Sequence, residues 1–188
     1  VQLTTPQALV ALCHHRWSIP LIAELHRLAG AKFITLVNRL QISRDSLSRT
    51  LIALLEGGWV QHNPGYGHPL RPEYVLTPKG QGIGPACAAL MSALQSLGVE
   101  DTALHKWSLP VVCCLGAGPA RFGQLKARLP GITARALAQT LKQLDGATLV
   151  ERIDVTVEFS QPRYALTRRA QRLGRALKAL CAALDLSG

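Results

Sequence analysis

The chain repeats itself, and that doubling limits its fold more than any other feature. Arg16-Trp17-Ser18-Ile19-Pro20-Leu21-Ile22 returns 90 positions later as Lys106-Trp107-Ser108-Leu109-Pro110-Val111-Val112. Lys32-Phe33 returns as Arg121-Phe122, and Ile42-Ser43 as Ile132-Thr133. Leu47, Thr50, Leu51 and Leu54 return as Leu137, Thr140, Leu141 and Leu144. Pro72, Tyr74, Leu76 and Thr77 return as Pro162, Tyr164, Leu166 and Thr167. A colinear series of this kind means one unit used twice. The 188 residues divide into modules at 1–98 and 99–188, each the size of a small domain.

The order of elements within a module is readable. Thr5 and Pro6 open a helix to about His15, and Ser18 caps a second to about Leu28, stopped by Gly30. Phe33 to Leu40 has the spacing of a short amphipathic helix. Ser43 caps a fourth helix, with Leu47, Leu51, Leu54 and Leu55 inward and Gly57-Gly58 at its end. Strands are expected over 59–62 and 73–76, around a Pro- and Gly-rich loop. Thr77-Pro78 then starts a long helix to about Leu97. The second module repeats the series with a shortened first helix near Thr102 to Lys106, and Thr167 caps its last helix. The expected fold class is mainly α with small β-hairpins (α+β).

Charge narrows the partners. The formal net charge is +10, with 21 Lys and Arg against 11 Asp and Glu. Such an excess favours nucleic acid and leaves few carboxylates for acid–base or metal chemistry. No segment approaches the roughly 20 apolar residues of a membrane helix, so no membrane partner is expected. The first residues lack the basic and apolar regions of a signal peptide, and five cysteines is an odd number; a reducing cytoplasm is expected.

Helix, short helix, tight turn, helix and hairpin is the winged helix-turn-helix order. The fourth helix spends one face on the core and leaves a polar face sized for the major groove of double-stranded DNA. In the first module that helix is about Ser43–Glu56, and its outward residues are expected to be Arg44, Asp45, Ser46, Ser48, Arg49 and Thr50. Of these, Arg44, Ser46, Ser48 and Arg49 would meet bases or phosphates. In the second module, about Thr133–Asp145, Arg135, Gln139 and Lys142 would do so, beside Ala134 and Ala138. Tyr66, His68 and Arg71 in the first hairpin loop suit close approach to the DNA backbone, whereas Asp154 and Glu158 in the second loop would be repelled. The first module is therefore expected to be the better reader. Charge does not follow this ranking: residues 1–98 hold 8 basic and 4 acidic side chains, and residues 99–188 hold 13 and 7.

Both modules resemble HxlR-type winged helix-turn-helix regulators, a branch near the MarR family. The resemblance lies in Lys106-Trp107-Ser108, Arg121-Phe122, Gly131-Ile132-Thr133 with Arg135, Leu149-Val150-Glu151-Arg152 and Pro162-Arg163-Tyr164-Ala165-Leu166-Thr167. The first module carries it as Arg16-Trp17-Ser18, Lys32-Phe33, Ile42-Ser43 and Pro72 to Thr77. The resemblance implies a cytoplasmic bacterial transcriptional regulator, a homodimer with one module per chain, answering to aldehydes, quinones or other small signals. It puts a DNA-contacting arginine at Arg135, where the first module has Asp45. With two modules per chain, a pseudo-dimer packed through first and last helices is expected within one polypeptide, with pairing of two such chains left open.

Other chemistry is sparse. Trp17 and Trp107 read first as packing residues and second as ligand stackers in a pocket between modules. Cys13 stands beside His14, His15 and Arg16, a setting that would lower a thiol pKa if accessible, and is the candidate redox residue. Cys113-Cys114 reads as buried. No metal-ligand spacing, nucleophile motif or cofactor loop is present, and Gly80-Gln81-Gly82-Ile83-Gly84 lacks a preceding Rossmann strand. No cofactor and no enzymatic activity are expected. The alternative is a winged-helix-derived ligand-binding protein or enzyme that has lost DNA, with a hydrophobic pocket between modules.

Overall fold

A computed structural model describes residues 7–64, 72–153 and 162–186. The first module runs α1 (Gln7–Leu12), α2 (Ser18–Leu28), α3 (Phe33–Leu40), α4 (Arg44–Glu56), β1 (Val60–His62), β2 (Tyr74–Leu76) and α5 (Pro78–Leu97). The second runs α6 (Glu100–Ala103), α7 (Ser108–Leu115), β3 (Ala120–Arg121), α8 (Phe122–Arg128), α9 (Ala134–Gly146), β4 (Val150–Ile153), β5 (Arg163–Leu166) and α10 (Gln171–Leu186), the last preceded by a 3-10 turn at Arg168–Ala170. Thr5 and Pro6 lie outside the described residues.

The helix ends follow local chemistry. Ser43 accepts the Ser46 amide at 3.2 Å, and Thr133 accepts that of Ala136 at 3.1 Å, so both fourth helices are capped alike. Ser18 does not cap α2: it is the first helical residue and is buried. Its equivalent Ser108 donates instead to the Thr102 carbonyl at 2.7 Å, tying α7 to α6. Helix α1 ends at Leu12, short of His15, and α6 begins at Glu100, earlier than expected.

Each hairpin is antiparallel, with Val60 opposite Leu76 and Val150 opposite Leu166. A third strand, β3, pairs Ala120 with Tyr164; in the first module only an isolated bridge, Ala31 to Tyr74, stands in its place. Thr77 and Thr167 join hairpin to last helix identically. Each hydroxyl donates to a carbonyl before the first strand (Gly58 at 2.6 Å, Thr148 at 2.7 Å) and accepts the amide three residues on.

Gly80 and Gly84 serve packing. A Cβ at Gly80 would run into the Trp59 carbonyl oxygen, and one at Gly84 would lie 2.8 Å from His26 Nδ1. The equivalent of Gly80 is Ala170, and there the helix opens with the 3-10 turn.

The modules share one core. The buried apolar residues of both form a single cluster. Helix α10 packs along α5, and α1 also packs against α10, so first and last helices make the seam. Arg169 fastens the end of α5: its guanidinium donates to the Leu97 carbonyl and to Thr148 Oγ1, the latter at 2.6 Å. A cation at a helix C-terminus also opposes the helix dipole. Arg16 pairs with Asp101 across the seam. Inside the first module, the buried Glu24 carboxylate holds Arg39 at 2.7 Å and Arg27 at 3.1 Å, fixing α2 to α3.

Cys13 packs into this seam and is 5% exposed. Burial first, then the neighbouring Cys87 and Cys113, push its thiol up. The expectation of a reactive Cys13 is therefore corrected: an apolar environment removes the accessible basic setting that a thiolate needs. Burial also pushes Cys87 up to about 12. Cys113 and Cys181 lie with their sulfurs 3.3 Å apart, joining α7 to α10 by a thiol hydrogen bond. That bond raises Cys113 and lowers Cys181.

Three outcomes follow from this packing. Gly80→Ala should lower unfolding stability by about 1–3 kcal/mol in urea titrations, because the new methyl meets backbone; no loss would contradict the close approach. Glu24→Gln should cost about 1–3 kcal/mol by the same measurement, since it removes charge from two assisted hydrogen bonds. Iodoacetamide at pH 8 should label Cys13 and Cys87 only after unfolding; rapid native labelling, read by mass spectrometry, would show they are not buried.

Candidate nucleic-acid interface

Helices α4 and α9 present their outward faces on the surface. In α4, Arg44, Asp45 and Arg49 are exposed and Ser46 and Ser48 half-buried. In α9, Ala134, Arg135, Ala138, Gln139 and Lys142 are exposed. The side chains of Arg44, Arg135, Gln139 and Lys142 make no hydrogen bond or ion pair among the described residues, so their donors are free. Arg49 Nε reaches the Asp45 carbonyl at 3.4 Å, leaving the end of its guanidinium available. Ser46 is engaged in the cap, with Ser43 Oγ donating to its hydroxyl at 2.9 Å.

Two expectations are corrected here. Thr50 does not face solvent: it is 2% exposed, and its hydroxyl donates to the Ser46 carbonyl at 2.8 Å. Its place at three residues from Leu47 puts it on the core stripe, and the back-bonded hydroxyl makes burial affordable. Leu55, placed on the inward face, is only half-buried. One outward residue was missed: Ile52 is 55% exposed and lies one turn beyond Arg49. The 45-49-52 spacing was the signal for it.

Tyr66, His68 and Arg71, and the acidic loop with Asp154 and Glu158, lie outside the described residues. The strands that carry the second loop bring Arg152 beside Lys142, and both line a hollow of about 220 Å³ between α9 and the hairpin. Along the 3-10 turn and the last helix Arg168, Arg172, Arg175 and Lys178 are exposed and without ion pairs among the described residues; Arg169 alone of this run is taken up by the seam.

The two tryptophans part company. Both are half-buried against the core, with Arg16 over Trp17 and Lys106 over Trp107. Only Trp107 lines the open groove between the modules, about 770 Å³, which also touches His14, His15, Glu56, Lys106 and Gly131. The nearby Lys106 ammonium holds the His14 imidazolium below the usual histidine range, with partial burial and His15 adding to the effect. Trp17 does not reach this groove. Among the described residues no cluster of His, Cys, Asp or Glu could hold a metal, and no helix is long and apolar enough to cross a membrane.

An uncharacterized HTH-type transcriptional regulator of Methanothermobacter thermautotrophicus is 34% identical over 76 residues, covering 40% of this chain and 58% of its own length. YtcD of Bacillus subtilis, an uncharacterized HTH-type transcriptional regulator, is 31% identical over 41% of this chain and 61% of its own. The chain thus spans about three fifths of the curated relatives it matches. A crystal structure of a MarR-family transcriptional regulator from Enterococcus faecalis is 31% identical, covering 50% of this chain and 79% of that one, with a TM-score of 0.41. The family described as HxlR-like helix-turn-helix matches residues 12–100 and again residues 103–186. The chain belongs to the HxlR-like helix-turn-helix family, two copies of which it carries in tandem.

Proposed function

We propose that this chain is a cytoplasmic, sequence-specific transcriptional regulator that binds double-stranded DNA through α4 and α9, with modules at 1–98 and 99–188. The observation that carries this reading is the pair of capped helices with donors left available on their outward faces: Arg44 and the end of the Arg49 guanidinium on one, Arg135, Gln139 and Lys142 on the other. Unpaired cations on an exposed helix face cost nothing in solution and gain counterion release against phosphate. Arginine and glutamine in addition carry the fork geometry that reads guanine and adenine edges. Arg152, Arg168, Arg172 and Arg175 are further exposed cations and are assigned to backbone contacts. Tyr66, His68 and Arg71 are assigned to the backbone from the first wing.

Control by a small molecule is the second part of the proposal, and the intermodule groove supports it. The groove touches Glu56 and Gly57 at the end of α4, and Pro130 and Gly131 just before α9. An occupant would bear on both reading helices at once. Trp107 and Lys106 are its natural contacts for an aromatic or carbonyl-bearing compound. The same groove is what the ligand-binding alternative without DNA would use, and DNA titration separates the two.

In gel-shift titrations against the upstream region of its own operon, binding should weaken steeply between 50 and 200 mM salt, by about 10³-fold or more if six or more phosphates are contacted. Arg135→Ala and Arg49→Ala should each weaken the specific complex by about five- to 150-fold, the 1–3 kcal/mol of a bidentate base contact. A salt-insensitive or absent shift, with both variants equal to the parent chain, would reject DNA binding. For the groove, quenching of tryptophan fluorescence by small aromatic aldehydes or quinones should vanish in Trp107→Phe and persist in Trp17→Phe; the reverse would remove the groove from the account.

A further inference from the structure

Helices α4 and α9 correspond position by position, and burial sorts their differences. The four buried residues of α4 are Leu47, Thr50, Leu51 and Leu54; those of α9 are Leu137, Thr140, Leu141 and Leu144. They are identical. Every position that is not buried differs, from Arg44 against Ala134 at the start to Glu56 against Gly146 at the end. The caps Ser43 and Thr133 keep the same bond to the third helical amide. The fold has therefore held the inward face and the entry geometry of both helices fixed while their outward faces separated completely.

The separation has chemical content. Along the central outward stripe, α4 offers Asp45, Arg49 and Ile52, and α9 offers Arg135, Gln139 and Lys142. At the first level a carboxylate acceptor, which suits the cytosine amino group, stands against a guanidinium, which suits guanine. At the second, a guanidinium stands against an amide, which suits adenine. At the third, an apolar side chain, which suits the thymine methyl, stands against an ammonium. The stripe of α4 carries no net charge and that of α9 carries two positive charges. The difference continues outside the reading helices, where Ile34 of α3 is 47% exposed and its counterpart in α8 is Gly123.

We propose that one chain reads an operator made of two unlike half-sites in a fixed order, with α4 on one and α9 on the other, and not an inverted repeat. This rests on the DNA-binding reading above. A two-fold pair of identical helices demands a palindromic site, because operator symmetry mirrors protein symmetry. Here the seam of α5 and α10 keeps the two modules paired while the reading groups have lost the equivalence that would require a palindrome. Binding is also directional: the chain sits on its site in one orientation, with its more cationic helix always on the same half.

The test uses the full chain and random double-stranded DNA, with repeated selection and sequencing at one salt concentration. The expected winner has two different boxes in constant order and spacing, occupied by one chain per site as weighed by native mass spectrometry. A second variant moves the central outward stripe of α4 onto α9: Arg135→Asp, Gln139→Arg and Lys142→Ile together, leaving Leu137, Thr140, Leu141 and Leu144 untouched. Selection with it should return an inverted repeat of the first box, and its affinity for the parent site should fall by about 25-fold or more, two lost base contacts at five-fold each. An inverted repeat selected by the parent chain, a single box, or a site unchanged by the triple substitution would each overturn this proposal while leaving DNA binding intact. Failure to enrich any sequence would overturn the parent reading, and this one with it.

Discussion

The packing of α10 along α5 is the contact on which the rest of this structure depends. It joins two modules into one apolar cluster, so neither has a core that closes without the other. A module of about 90 residues buries a modest fraction of its surface, and sharing a core raises that fraction. Within one chain the partner module is always present at high effective concentration, so the pairing does not depend on protein concentration. Among the described residues two polar fastenings cross the seam. Arg169 closes the end of α5, and Arg16 meets Asp101. The remainder is apolar packing within the shared core, and inside the second module the Cys113–Cys181 thiol pair ties α7 to α10.

Because the seam is internal, the two halves are free to differ. In a homodimer one gene supplies both reading helices, and any change appears twice. Here a change at Arg49 leaves Gln139 alone. The buried residues of α4 and α9 have not used that freedom: Leu47, Thr50, Leu51 and Leu54 stand as Leu137, Thr140, Leu141 and Leu144. The outward residues have used it throughout. Elsewhere the halves also diverge with structural consequence: β3 exists only in the second module, and Glu24 with its two arginines only in the first, where the second has Cys114.

Much of this was legible in the residues. The repeat announced tandem modules, and the leucine spacing with the Ser43 and Thr133 caps placed α4 and α9 within a residue. Helix α3 was read to both ends, because Phe33, Leu36, Val37 and Leu40 leave a single apolar stripe. What failed did so for physical reasons. Ser18 looks like a cap by type, yet tertiary packing buries it. Thr50 looks polar, yet its hydroxyl bonds back to its own helix and joins the core. Cys13 has basic neighbours in sequence, but chain direction alone cannot show that the seam covers it. Strand β3 is two residues long and is made by its partner β5, not by its own composition. The intermodule groove, with His14 held low by Lys106, joins residues far apart in sequence and had no local signature.

The central claim is that one polypeptide holds two DNA-reading helices in a fixed pair. Hydroxyl-radical footprinting of the upstream DNA, with the chain held at concentrations where it is a monomer in solution, tests it most directly. The account calls for two protected patches on one face of the duplex, centred about 10 base pairs apart or a multiple of that. A lone patch, or cleavage indistinguishable from free DNA, would contradict it.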